Sequence, residues 1–122
     1  MPDVYFFDSY AIVEIIKGSE NYKHYVNATV LTTKLNLFEV FYGLLRDIGE
    51  KEAQAFIEAY YECVIDFDKS VIKNAAALRL QYRKRNLSMT DCIGYCIAKR
   101  WGVPFLTGDK EFEQMENVEY VK

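Results

Sequence analysis

Two short apolar runs, each ending at or just before an aspartate, constrain this chain most. Val4-Tyr5-Phe6-Phe7 is β-branched and aromatic and stops at Asp8; Val103-Pro104-Phe105-Leu106 runs out into Thr107-Gly108-Asp109. Apolar runs this short, closed by turn signals, read as buried strands. The residues between them carry a helical period. Ile12, Val13, Ile15 and Ile16 form one apolar side, stopped by Gly18, and 19–25 suits a short second helix. Leu37, Phe38, Phe41, Leu44, Leu45 and Ile48 form another, stopped by Gly49. A helix over 51–62 is expected to face Ala55, Phe56 and Ala59 inward, and one capped by Asp68 runs toward Arg85. Ser88 caps a helix with Met89, Cys92, Ile93, Cys96 and Ile97 on one side, Lys99 and Arg100 in its last turn and Gly102 as its stop, with the signs that suit a helix dipole. Ala28–Thr32, Cys63–Ile65 and Val118–Val121 are further strand candidates. Strands alternating with helices imply a parallel sheet covered on both faces. The expected fold is a three-layer α/β/α sandwich with a central parallel sheet of four to five short strands.

The 122 residues read as one domain, 1–122. No apolar run approaches the roughly 18 residues of a membrane span. Met1-Pro2-Asp3 opens almost directly into the first strand, without the basic region and cleavage site of a secretory signal. Cys63, Cys92 and Cys96 are the only cysteines, too few and odd in number for a disulfide framework, so a cytoplasmic protein with reduced thiols is expected. A net charge of −3 excludes wrapping nucleic acid by charge alone. The charge is uneven, however. Six basic residues and no acid lie between Lys69 and Thr90, whereas five acids and one lysine lie between Asp109 and Glu119.

In an open parallel sheet the working groups collect beyond the carboxyl ends of the strands. Asp8 and Asp109 stand there, although a helix cap and a turn residue are the plain readings of the two. Glu39 lies among Leu37, Phe38, Val40 and Phe41 on a helix expected to be largely buried, where an unpaired carboxylate is costly. The alternative is a solvent stripe of Asn36, Glu39, Gly43 and Arg46. Asp91 follows Ser88 at capping-box spacing, and Gly94 and Ala98 on its side of the helix leave room for another element. Four acids gathered at one sheet end need protons or cations to neutralise them. Oxygen-only ligands select a hard divalent cation, Mg²⁺ with Mn²⁺ as a substitute. Such an ion suits phosphodiester hydrolysis.

Phe7-Asp8-Ser9, Leu37-Phe38-Glu39-Val40-Phe41-Tyr42-Gly43-Leu44, Ser88-Met89-Thr90-Asp91 and Leu106-Thr107-Gly108-Asp109-Lys110-Glu111-Phe112, in this order, resemble the PIN-domain ribonucleases, and among them the VapC-type toxins of toxin–antitoxin pairs. The resemblance implies an Mg²⁺-dependent endoribonuclease that hydrolyses RNA with metal-activated water. Asp8, Glu39 and Asp91 would hold the metal and Asp109 would be the fourth acid. Ser9 and Thr107 would be supporting hydroxyls. It further implies a small antitoxin partner and a homodimer. Arg83, Lys84 and Arg85 are the candidate RNA contacts; a solvated helix face is the plain reading. Two other functions compete. One is a PIN-type scaffold that binds RNA or protein without cutting. The other is a receiver-type phosphoacceptor using Asp66 or Asp68.

Overall fold

A computed structural model describes residues 3–122, so Met1 and Pro2 of the expected leaderless start lie outside the described residues. Four parallel strands form the sheet: β1 (Val4–Phe7), β2 (Thr29–Leu31), β3 (Phe105–Thr107) and β4 (Val118–Tyr120), in the order β2-β1-β3-β4. Five α-helices surround it: α1 (Ser9–Lys17), α2 (Lys34–Asp47), α3 (Glu50–Tyr60), α4 (Lys69–Gln81) and α5 (Met89–Trp101). A 3-10 segment, Glu20–Tyr25, occupies the expected second short helix. No helix among the described residues is long and apolar enough to cross a membrane.

The pleat divides the core in two. Phe6 pairs with Phe105 and Phe7 with Leu106. Side chains alternate faces along a strand, so Phe6 and Phe105 turn to one side, where Val71 and Ala75 of α4 and Cys92, Ile93, Tyr95 and Ile97 of α5 meet them. Phe7 and Leu106 turn to the other, where Ala11 and Ile12 of α1, Leu37, Val40 and Leu44 of α2, and Ala53 and Phe56 of α3 pack. The result is the expected α/β/α sandwich. Gly94 makes the first contact close: a Cβ there would stand 2.7 Å from Phe6 Cε1 and 3.2 Å from Phe105 Cε1. Gly18 and Gly102 end α1 and α5 at φ 71° and 68°, the left-handed conformation that favours glycine.

Cys63–Ile65 is not a strand. Val64 makes an isolated bridge to Thr32, because the chain leaves a 3-10 turn at Tyr61–Cys63 and enters the α4 cap at Asp68 within a few residues. The inward face of α3 is Ala53, Phe56, Ile57 and Tyr60, a proper i, i+3, i+4, i+7 stripe; Ala55 and Ala59 are exposed. Helix α4 ends at Gln81 and leaves Arg83, Lys84 and Arg85 in the following turn. Helix α2 buries only the Leu37–Val40–Leu44 side. Phe38, Leu45 and Ile48, expected in the apolar set, are exposed, as is Glu39, while Asn36 is 2% exposed and belongs to no solvent stripe.

Candidate active site

The chain passes from β1 to β2 on one side, then crosses over to β3 on the other. The carboxyl ends of β1 and β3 therefore lie at the topological switch point, where open α/β sheets form their crevice. Asp8 leaves β1 there. It is 4% exposed and caps α1 by accepting the Tyr10 N–H. The Thr107 hydroxyl, at the end of β3, donates to its other oxygen. Thr107 Oγ1 in turn accepts the Asp109 N–H at 3.0 Å, and Asp109 Oδ1 accepts the Glu111 N–H at 3.0 Å. One buried threonine thus ties the acid of β1 to the acid of β3. Gly108 between them packs under the Tyr10 ring and the Val121 carbonyl, where a Cβ would clash.

Asp91 enters from α5. Its Oδ2 accepts the Ser88 N–H at 3.0 Å and the Ser88 Oγ accepts the Asp91 N–H at 3.0 Å, a complete capping box. The box occupies one carboxylate oxygen. Glu39 enters from the solvent side of α2 and accepts the Ser9 hydroxyl at 2.7 Å. Ser9 accepts from the Asn36 amide at 3.0 Å. Asn36 is the residue that sequence reasoning missed; its only signal was an amide on the turn before Glu39.

The electrostatics show which acids share a space. Burial pushes the Asp8 carboxyl up to about 7; the Thr107 hydrogen bond opposes this, and the charges of Asp91 and Asp109 reinforce it. Asp91 is raised as well, first by burial, with its Ser88 hydrogen bonds opposing and the charges of Asp109 and Glu39 adding to it. Asp91 and Asp109 thus bear on Asp8, and Asp109 and Glu39 bear on Asp91. None of the salt bridges among the described residues involves them. Their chemistry fits a hard cation: all donors are oxygen, and each ionised acid opposes the ionisation of its neighbour. Among the described residues no group of three His, Cys, Asp or Glu forms a ready-made metal cage.

Of the basic turn, Arg85 reaches the loop beside this site. Arg85 stacks on Tyr82, 4.7 Å from the ring centroid, and donates to the Glu111 carbonyl at 3.2 Å, beside the loop of Asp109. Arg83 donates to the Leu80 carbonyl, and Lys84 is exposed. The receiver-type alternative loses its footing. Among the described residues no strand leads directly into Asp66, and Asp68 is spent as the α4 cap and paired with Arg100 at 3.0 Å.

A parallel α/β domain with acids at its switch point presents them at the crevice where open α/β sheets bind their ligands. The match to known proteins is more particular. The PIN domain family model matches residues 5–118, and the chain belongs to the PIN-domain family. No curated protein matches the sequence. Solved structures share the fold at low identity. A toxin–antitoxin complex from Klebsiella pneumoniae is 19% identical, with TM-score 0.77 over 94% of this chain and 95% of that one. A VapC toxin from Mycobacterium tuberculosis, described as cleaving the sarcin-ricin loop, is 17% identical, with TM-score 0.76 over 97% and 99%. VapBC2 from Rickettsia felis, bound to a DNA fragment from its promoter, is 20% identical, with TM-score 0.72 over 96% of each chain.

Proposed function

We propose that this protein is a VapC-type toxin, an endoribonuclease that depends on Mg²⁺ and accepts Mn²⁺. The observation that carries this reading is the Asp8 carboxyl, 4% exposed, held by one backbone N–H and by the Thr107 hydroxyl that also ties it to Asp109, with no salt-bridge partner among the described residues. Its role as the α1 cap needs no charge, since asparagine caps equally well, and a cation would relieve the buried carboxylate. Asp8, Glu39, Asp91 and Asp109 would hold the ion. When bound, it supplies Lewis acidity toward water and the oxygens of the scissile phosphodiester. Thr107 and Ser9 orient Asp8 and Glu39 by donating to them. Arg83, Lys84 and Arg85 hold the RNA backbone by charge. The structural likeness to proteins from toxin–antitoxin complexes supports a small antitoxin as partner. Exposed Phe38, Tyr42 and Leu45 on α2 supply apolar surface for it or for a second copy of the chain.

The test is cleavage of a labelled structured RNA by the purified protein. Cleavage is expected with Mg²⁺ or Mn²⁺, stopped by EDTA and restored by either ion. Asp8→Asn should abolish it with the fold intact. Cleavage that survives EDTA and Asp8→Asn would overturn the mechanism. A wild-type protein that binds RNA and never cuts would establish the scaffold alternative instead.

A further inference from the structure

We infer that Asn36 is a positioning residue: it sets the direction of the Ser9 hydroxyl and so holds Glu39 in place for the cation. The inference rests on the reading of the four acids as a cation site. Four hydrogen bonds run in one direction. The Asn36 backbone N–H donates to Thr33 Oγ1 at 3.2 Å, and the Thr33 hydroxyl donates to Asn36 Oδ1 at 2.6 Å. The Asn36 Nδ2 donates to Ser9 Oγ at 3.0 Å, and the Ser9 hydroxyl donates to Glu39 Oε1 at 2.7 Å.

The order is dictated by the first link. Thr33 caps α2 and accepts a backbone N–H, so its own hydrogen goes to Asn36 Oδ1, and this turns the amide NH₂ toward Ser9. Ser9 receives a donor and has one hydrogen left, which goes to Glu39. Thr33 and Asn36 are 1% and 2% exposed, so the upstream half of the relay is shielded from competing water. Glu39, by contrast, is exposed on a helix face and its side chain would otherwise sample several rotamers. Groups that orient metal ligands from behind commonly change metal affinity by about 10–100-fold when lost.

Asn36→Asp tests this with almost no change of shape. At a pH high enough to ionise it, both carboxylate oxygens accept, so Ser9 must turn its hydrogen to residue 36 and release Glu39. Mn²⁺ affinity is read by calorimetry on the full chain, with folding checked by thermal melting. Asn36→Asp and Ser9→Ala are each expected to weaken Mn²⁺ binding about tenfold. In the Ser9→Ala background Asn36→Asp should cost little more, because the relay is already cut. If Asn36→Asp does not fold, Asn36→Ala is measured under the same criterion. A purely structural asparagine would lower the melting temperature and leave the Mn²⁺ affinity of the folded protein unchanged. That result, or full additivity with Ser9→Ala, overturns the inference. If Glu39→Gln leaves Mn²⁺ affinity at the wild-type value, the cation-site reading fails as well, which separates the two failures.

Discussion

Asp8→Asn should stabilise the cation-free protein at alkaline pH although it removes a central residue of the site. The Asp8 carboxyl is pushed up to about 7 in the folded chain, against about 3.9 in an unfolded one. The native state therefore keeps a proton that the unfolded state has released. Stability from this group is full below the unfolded value and is lost as pH rises through the folded value. Three units of difference correspond to on the order of 4 kcal/mol at pH 8. Asparagine carries no charge at any pH, but the Thr107 hydroxyl must find a new partner, at about 1–2 kcal/mol. The net gain is about 2–3 kcal/mol at pH 8, or roughly 5–10 °C in Tm for a domain of this size. Near pH 5 much of the wild-type penalty is relieved and the two proteins should unfold together. Urea unfolding of both proteins in EDTA, at unit steps from pH 5 to pH 8, measures this gap. Added Mg²⁺ should then stabilise the wild type and not the variant. An Asp8→Asn protein less stable than wild type at pH 8, or a gap that does not change with pH, would refute the argument that Asp8 is a buried charge without a counter-ion.

Other outcomes follow from single contacts. Gly94→Ala should lower stability by about 1–2 kcal/mol in urea unfolding, since overpacking against the Phe6 and Phe105 rings outweighs the better helix propensity of alanine. Gly108→Ala meets the Tyr10 ring and the Val121 carbonyl; it should shift the Asp109 loop and reduce RNA cleavage at least tenfold in a protein still folded by circular dichroism. Neutralising Arg83 and Lys84 together should weaken RNA binding and lower the slope of log K against log salt by between one and two. An unchanged slope assigns both to the solvated surface.

The layers were legible because they follow from period alone. The order of strands and helices and the glycine stops at Gly18 and Gly102 have local physical causes, and the structure has them in that order, with the strand expected at Val103–Leu106 shifted to Phe105–Thr107. The errors arose where one apolar count allowed two geometries. Helix α2 carries apolar residues on two sides, and the sequence does not say which side meets the sheet; Phe38 and Ile48 lie on the solvent side, and Glu39 with them. Asn36 was hidden for the complementary reason, since a polar side chain at the edge of an amphipathic helix looks like solvent surface until its partners Thr33 and Ser9 are brought to it by the fold.

The plain and the functional readings of three acids turn out to be compatible. Asp8 caps α1, Asp91 closes the capping box of α5, and Asp109 caps the turn at 110–112. Each is held by backbone N–H groups at a helix start, and those groups also favour negative charge there. The fold thus gathers acids at one end of the sheet by using positions where an aspartate already stabilises its helix. Glu39 has no such support. It lies inside α2, where every backbone N–H is committed to the carbonyl one turn back, so only a side chain can donate to it. The Ser9 hydroxyl fills that role, and its direction must be set from elsewhere. Restoring a donor at position 36 should therefore matter more to Glu39 than any change in the caps. In the Asn36→Ala protein, Mn²⁺ affinity should stay low when the Ser88 capping box is intact, and a value equal to wild type would show that Glu39 needs no relay.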